Sequence, residues 1–126
     1  GEEIELVALR VNGKALSKRQ YRREPDRLVI PKAPAKLTLE IETLIHPDQN
    51  TSLMGLYVSN GNFFTQCEAE GFRKITYFPD RPDVMAHFSV TIEADQTQFP
   101  ILLSNGNLIE EKRKYNRRVQ FTLINE

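Results

Sequence analysis

The chain has no tryptophan, one cysteine, two histidines, no long apolar run and no excess of either charge. Each shortage removes a class of function. A single thiol, Cys67, cannot close an internal disulfide, so a disulfide-framed scaffold is excluded and a reducing, cytoplasmic compartment is expected. No apolar stretch approaches the ~18 residues that span a bilayer, so no membrane partner is expected. Residue 1 opens inside a strand-like pattern, without a charged-then-apolar leader. Lysine plus arginine number 17 against 17 aspartates plus glutamates, which leaves no global field to steer a nucleic acid. Neither His46 nor His87 is followed by Glu-x-x-His, the helical pattern that pairs two zinc ligands with a general base. A Gly-x-Ser-x-Gly elbow and a glycine-rich phosphate loop are also missing. On its own residues this chain is not a complete enzyme.

What is present is a pattern of short strands. At 126 residues the chain has the length of one domain, and such a domain buries roughly two thirds of its unfolded surface. In "EIELVALRVNGKAL", Ile4, Leu6, Ala8 and Arg10 fall on one face and Val7, Leu9 and Val11 on the other, ahead of a hairpin turn at Asn12–Gly13. Pro31 and Pro34 interrupt the pattern, because proline donates nothing to a ladder. Leu37, Leu39 and Ile41 then alternate with polar residues as a half-buried strand. "SLMGLYVSNGNFFTQCEA" predicts a second hairpin with "SNGN" at its tip, "HFSVTIEA" alternates cleanly, and "RVQFTLI" closes the series. "DRPDVMAHF" predicts the one helical turn, capped by Asp80 and stiffened by Pro82. The expectation is an all-β fold, a β-sandwich or saddle-like set of antiparallel sheets with one short helix, over residues 1–126.

The acid-rich segment "TQCEAEGFR", residues 65–73, is the candidate site. Glu68 and Glu70 are two positions apart, which on a strand puts them on one face at about 6 to 7 Å. A glycosidase pair needs carboxyls about 5 to 9.5 Å apart, flanking one bond, whereas these would lean the same way from one strand. A solvated acidic edge explains them better. Cys67 reads as a small packed thiol, and His46 and His87 as solvated residues beside strand ends. Asn50 in "NTS" matches a glycosylation acceptor by chance. A calcium site from Asp80 and Asp83 lacks the further oxygens it needs. The basic runs "SKRQYRREPDR" and "KRKYNRR" interleave tyrosines with cations, as a nucleic-acid groove would, but both fall where charged hairpin loops are expected.

The central stretch, "NTSLMGLYVSNGNFFTQCEAEGFRKITYFPDRPDVMAHFSVTIEAD" (residues 50–95) with "FPILLSNGN" (99–107), resembles the N-terminal domain of the aminopeptidase N family, bacterial zinc aminopeptidases of the gluzincin type. "GLY", "TQCEAEGFR", "ITY" and "DRPDV" in that order carry the resemblance; the first 45 residues fit more loosely. It implies a β-rich, non-catalytic fragment that begins after the family's first strands and ends before a thermolysin-like catalytic domain. The family's Gly-Ala-Met-Glu-Asn segment and His-Glu-x-x-His zinc site have no counterpart here. The resemblance therefore implies that zinc is held outside this chain and that the chain alone is inactive. It implies docking on the parent's own catalytic domain and a peptide N-terminus as substrate partner. It also implies that Glu68 anchors the substrate's free amine and that Gln66, beside it on the same strand face two residues back, lines the pocket for the first side chain. Glu70 is read as a surface or structural salt bridge to Arg73 or a neighbour. The alternative reading is a free-standing β-sandwich module that binds peptide or carbohydrate; Tyr57, Phe63, Phe64, Tyr77 and Phe78 are the aromatics available to it, and core packing explains them equally well.

Overall fold

A computed structural model describes residues 1, 3–114 and 117–124. The chain divides into two compact units, Gly1–Pro82 and Asp83–Glu126. All sheet pairing is antiparallel, and among the described residues the only helical pieces are two single 3₁₀ turns, Pro47–Gln49 and Phe72–Lys74. The all-β reading is thus the observed one.

In the first unit, β1 (Glu5–Val11) lies between β2 (Lys14–Ala15) and β5 (Leu39–Leu44). The Asn12–Gly13 turn returns the chain as its sequence predicts, pairing Val11 with Lys14. The simple two-face pattern of β1 is broken by an irregularity between Leu6 and Ala8 in the pairing with β5. Leu9 and Ile4 are buried, but Val7 stands half exposed. An inserted residue opposes no partner and shifts the face of the residues after it. β5 corrects the expectation at its start: Leu37 and Leu39 are exposed, and the inward positions are Ile41 and Thr43. Thr43 donates its hydroxyl to the Ile75 carbonyl at 2.8 Å, tying β5 to the chain after the second 3₁₀ turn.

The basic run at residues 17–27 folds on itself. β3 (Arg22–Arg23) pairs with β4 (Leu28–Val29), and Arg27 meets Glu24 and Asp26 at 3.1 and 3.2 Å. The hydrogen bond from Arg27 holds the Asp26 carboxyl below its usual range. Arg23 reaches inward, donating to the Tyr77 hydroxyl and to the Ile4 carbonyl. Arg22, at 3.7 Å from Glu24, Arg23 and Arg27 thus each have a local partner.

In the second unit, β10 (Arg117–Ile124) is central between β8 (Phe88–Asp95) and β9 (Asn107–Lys114). Phe88, Val90 and Ile92 alternate inward along β8 against exposed Ser89, Thr91 and Glu93, the period-two pattern of a half-buried strand. The strand β9 is an addition to the sequence reading, which places only a turn and a charged loop there. Its face is polar enough, in "EEKRK", to hide the period. Tyr115 and Asn116, in the second basic run, lie outside the described residues. The helix expected over "DRPDVMAHF" is a correction: residues 82–83 make an isolated turn and the chain beyond them runs irregularly into β8. Asp80, the expected cap, turns its carboxylate to Arg73 instead and leaves the first turn uncapped.

Candidate functional site

The site is the end of one hairpin. β6 (Gly55–Ser59) and β7 (Asn62–Gln66) pair in register from Ser59 opposite Asn62 to Gly55 opposite Gln66. The tip, Asn60–Gly61, has φ of 49° and 76°, the left-handed pair that a two-residue hairpin turn requires. Tyr57 and Phe64 face each other across the ladder with ring centroids 5.9 Å apart. Phe63 and Phe64 nevertheless remain nearly half exposed.

Gln66 is the last residue of β7, and Glu68 lies beyond it in the turn at residues 68–71. This corrects the expectation that both ride one strand face. Every residue of β7 is exposed, as are Glu68, Ala69 and Glu70, and Cys67 alone among residues 62–70 is half-buried. Burial, reinforced by the Asp80 charge, pushes the Cys67 thiol above its ordinary value. Gln66 turns its amide forward along the chain, Nε2 donating to the Glu68 carbonyl at 2.8 Å. The Gly71 N–H closes the turn by donating to the Cys67 carbonyl at 2.7 Å. Within it the Glu68–Ala69 bond is cis and Glu70 has a φ of 68°. A side chain at Gly71 would strike the Gln66 carbonyl oxygen and stand 2.9 Å from the Cys67 Cα, so glycine alone lets the chain fold back so tightly.

The Glu70–Arg73 ion pair is present at 3.4 Å. The stronger half of Arg73's role is not visible in the sequence. Its own N–H and its Nε both donate to Asp80 Oδ2, at 3.0 and 3.1 Å, and Nη2 donates to the Asp80 carbonyl at 2.9 Å. Asp80 therefore does satisfy a free backbone N–H of a helical turn, but of the preceding one, Phe72–Lys74, reached from its C-terminal side. Phe72 and Phe78 meet edge-on at 5.2 Å and bring the two ends of this excursion together. The signal available in sequence is an arginine and an aspartate bracketing "KITYFP", which becomes a contact only once the chain doubles back.

Among the described residues, no hydrogen bond or ion pair engages the Glu68 carboxylate. It is an exposed charge on a turn whose backbone is fixed from both sides. No group of three His, Cys, Asp or Glu that could hold a metal ion occurs among the described residues. A cleft of about 260 Å³ elsewhere in this unit is lined by Glu3, His46, Gln49, Asn50 and Lys74, and neither Glu68 nor Gln66 borders it. Asn50 there is a loop organiser: its amide donates to the Met54 and Leu56 carbonyls and its oxygen accepts from Ser52. No helix among the described residues is long and apolar enough to cross a membrane.

Known proteins share both the sequence and the fold of this chain. A family profile described as the peptidase M1 N-terminal domain matches residues 8–123. A protein called aminopeptidase N from Caulobacter vibrioides is 54% identical over 107 residues, covering 85% of this chain and 12% of that protein. The Escherichia coli protein of the same name is 45% identical over 118 residues, covering 94% of this chain and 13% of the relative. The crystal structure of Legionella pneumophila aminopeptidase A in complex with aspartic acid superposes with a TM-score of 0.91 at 38% identity, over 98% of this chain and 15% of that one. The chain thus spans only a small fraction of the length of the proteins it matches.

Proposed function

This chain belongs to the peptidase M1 N-terminal domain family, and from that premise we propose that it is the amine-recognition part of a zinc-dependent aminopeptidase releasing single N-terminal residues from peptides. The observation that carries the reading is the Glu68 carboxylate, exposed two residues beyond the end of β7 on a turn held by hydrogen bonds to its backbone. A peptide's α-amine has a pKa of about 7.7 to 8.0 and is largely ammonium at neutral pH. A fixed carboxylate at that point gives it a charge-assisted hydrogen bond, stronger than a neutral one. Blocked termini and internal amides bring no charge and more bulk, so the same group rejects them. Holding the anchor on a rigid neighbour of the catalytic centre fixes the distance from the terminus to the first peptide bond, which limits cleavage to one residue.

Gln66 stands beside the anchor and lines the pocket of the first side chain through its amide oxygen, its nitrogen being engaged by the Glu68 carbonyl. Zinc, held by the catalytic domain, would supply the chemistry of the cut as a Lewis acid. Among the described residues no cluster could hold it; its ligands are assigned to the catalytic domain, and on this reading the chain alone is inactive. Phe63 and Phe64, exposed on opposite faces of the strand that leads towards Glu68, offer apolar surface for docking that domain, Phe64 together with the Tyr57 ring stacked on it. A lone half-buried thiol suits a cytoplasmic location. The test is to give the full-length protein one peptide with a free N-terminus and the same peptide acetylated. Release of the first residue from the free form alone is expected, and equal hydrolysis of both would overturn the assignment.

A further inference from the structure

We infer that Arg73 is a positioning residue for the Glu68 carboxylate, acting through the turn at residues 67–71 rather than by touching the substrate; the inference rests on the amine-anchor reading above. Among the described residues nothing grips the Glu68 side chain itself. Its position is therefore set by its backbone, and that backbone is held at few points. On the upstream side Gln66 Nε2 grips the Glu68 carbonyl at 2.8 Å. On the downstream side the Gly71 N–H grips the Cys67 carbonyl at 2.7 Å, and Arg73 anchors the chain just beyond it. One guanidinium there binds three groups at once: Glu70 Oε2 within the turn at 3.4 Å, Asp80 Oδ2 at 3.1 Å and the Asp80 carbonyl at 2.9 Å. The Arg73 main-chain N–H adds a second bond to Asp80 Oδ2 at 3.0 Å.

This clamp is more than an exposed ion pair. The Asp80 side chain is only 16% exposed and that of Arg73 30%, so solvent competes weakly for the bonds. Arginine is required by the geometry, because a planar fork can serve a carboxylate and a carbonyl on one residue while reaching Glu70. A lysine offers one compact charge and keeps a single arm. The clamp ties the turn that carries the amine anchor to the chain after Phe78, where Phe72 and Phe78 also meet. Displacing a binding group by about 1 Å can cost on the order of a hundredfold in rate, so a loose clamp is expressed as weaker amine recognition.

The experiment uses the full-length protein and two competitive inhibitors that differ only in the α-amine, one bearing it and one with hydrogen in its place. The ratio of their inhibition constants reads the amine contact and is insensitive to a general loss of active protein. Glu68→Gln is expected to collapse the ratio, and a ratio left unchanged by Glu68→Gln overturns the underlying amine-anchor reading. With Glu68→Gln effective, Arg73→Met is expected to lower the ratio about tenfold while leaving the affinity of the amine-free inhibitor unchanged, and to add nothing further in the Glu68→Gln background. Arg73→Lys is expected to fall between Arg73→Met and the parent, and it carries the test alone if Arg73→Met does not fold. A parental ratio in folded Arg73→Met or Arg73→Lys, beside a collapsed ratio in Glu68→Gln, would overturn the positioning role.

Discussion

Gly71→Ala is the sharpest local perturbation this architecture offers. The residue has an ordinary φ of −85°, so alanine brings no backbone strain of its own. The difficulty is space. The added methyl would collide with the Gln66 carbonyl oxygen, stand 2.9 Å from the Cys67 Cα and 3.1 Å from the Met54 Cε. Two of these atoms are backbone and cannot step aside without opening the turn. Overpacking of this kind costs about 1 to 3 kcal/mol, and loss of the Gly71 N–H bond to Cys67 adds about 1 kcal/mol. A combined cost of about 2 to 4 kcal/mol, at 1.4 kcal/mol per factor of ten, accelerates opening of the segment roughly thirtyfold to several hundredfold. Amide hydrogen exchange read on peptides covering residues 64–74 measures this directly, because locally opening segments exchange independently of the rest. Gly61→Ala is the control: its φ is 76° and nothing lies within 4 Å, so its strain stays at the hairpin tip. Parental exchange over 64–74 in Gly71→Ala, or equal acceleration there in Gly61→Ala, would refute the reasoning.

Asp80→Ala strips the carboxylate from a mostly buried clamp and is expected to cost about 2 to 3 kcal/mol, seen as faster exchange over residues 70–80. Glu70→Gln removes a half-exposed partner at 3.4 Å and is expected to cost less than about 0.5 kcal/mol in the same assay. Because burial raises the Cys67 thiol above its ordinary value of 9.0, the folded state retains a proton that the unfolded state has lost. That contribution is complete below pH 9 and disappears as pH climbs through the folded value, so the urea midpoint is expected to fall above pH 9. Cys67→Ala is expected to remove that part of the slope, and an identical alkaline decline in both proteins would contradict it.

Hairpins are legible wherever a turn signal sits between alternating runs. Asn12–Gly13 and Asn60–Gly61 each fix a register that the structure reproduces to the residue. β8 is legible for the same reason, since one face of "FSVTIEAD" is apolar and the other polar. β9 is hidden because "NLIEEKRK" is a strand by pairing with β10 while its composition reads as a solvated loop. The expected helix at "DRPDV" shows the reverse failure, in which the expected cap, Asp80, is taken up by Arg73. At the site, Gln66 and Glu68 are exposed and Cys67 is half-buried, but β7 itself is exposed along its whole length and shows no period. Alternation does not foresee that the strand stops at Gln66, or that an aspartate seven residues beyond Arg73 holds the turn in place. Contacts of that kind depend on a reversal of direction, which leaves no period in the sequence.

Recognition of the peptide terminus by Glu68 is tested most directly by the catalytic efficiency of Glu68→Gln in the full-length protein on an aminoacyl-anilide. The glutamine keeps the shape and removes the charge. A fall in kcat/KM worth about 2 to 4 kcal/mol of transition-state binding is expected, the scale of a charge-assisted hydrogen bond in a shielded site. A folded Glu68→Gln protein with parental kcat/KM would contradict the account.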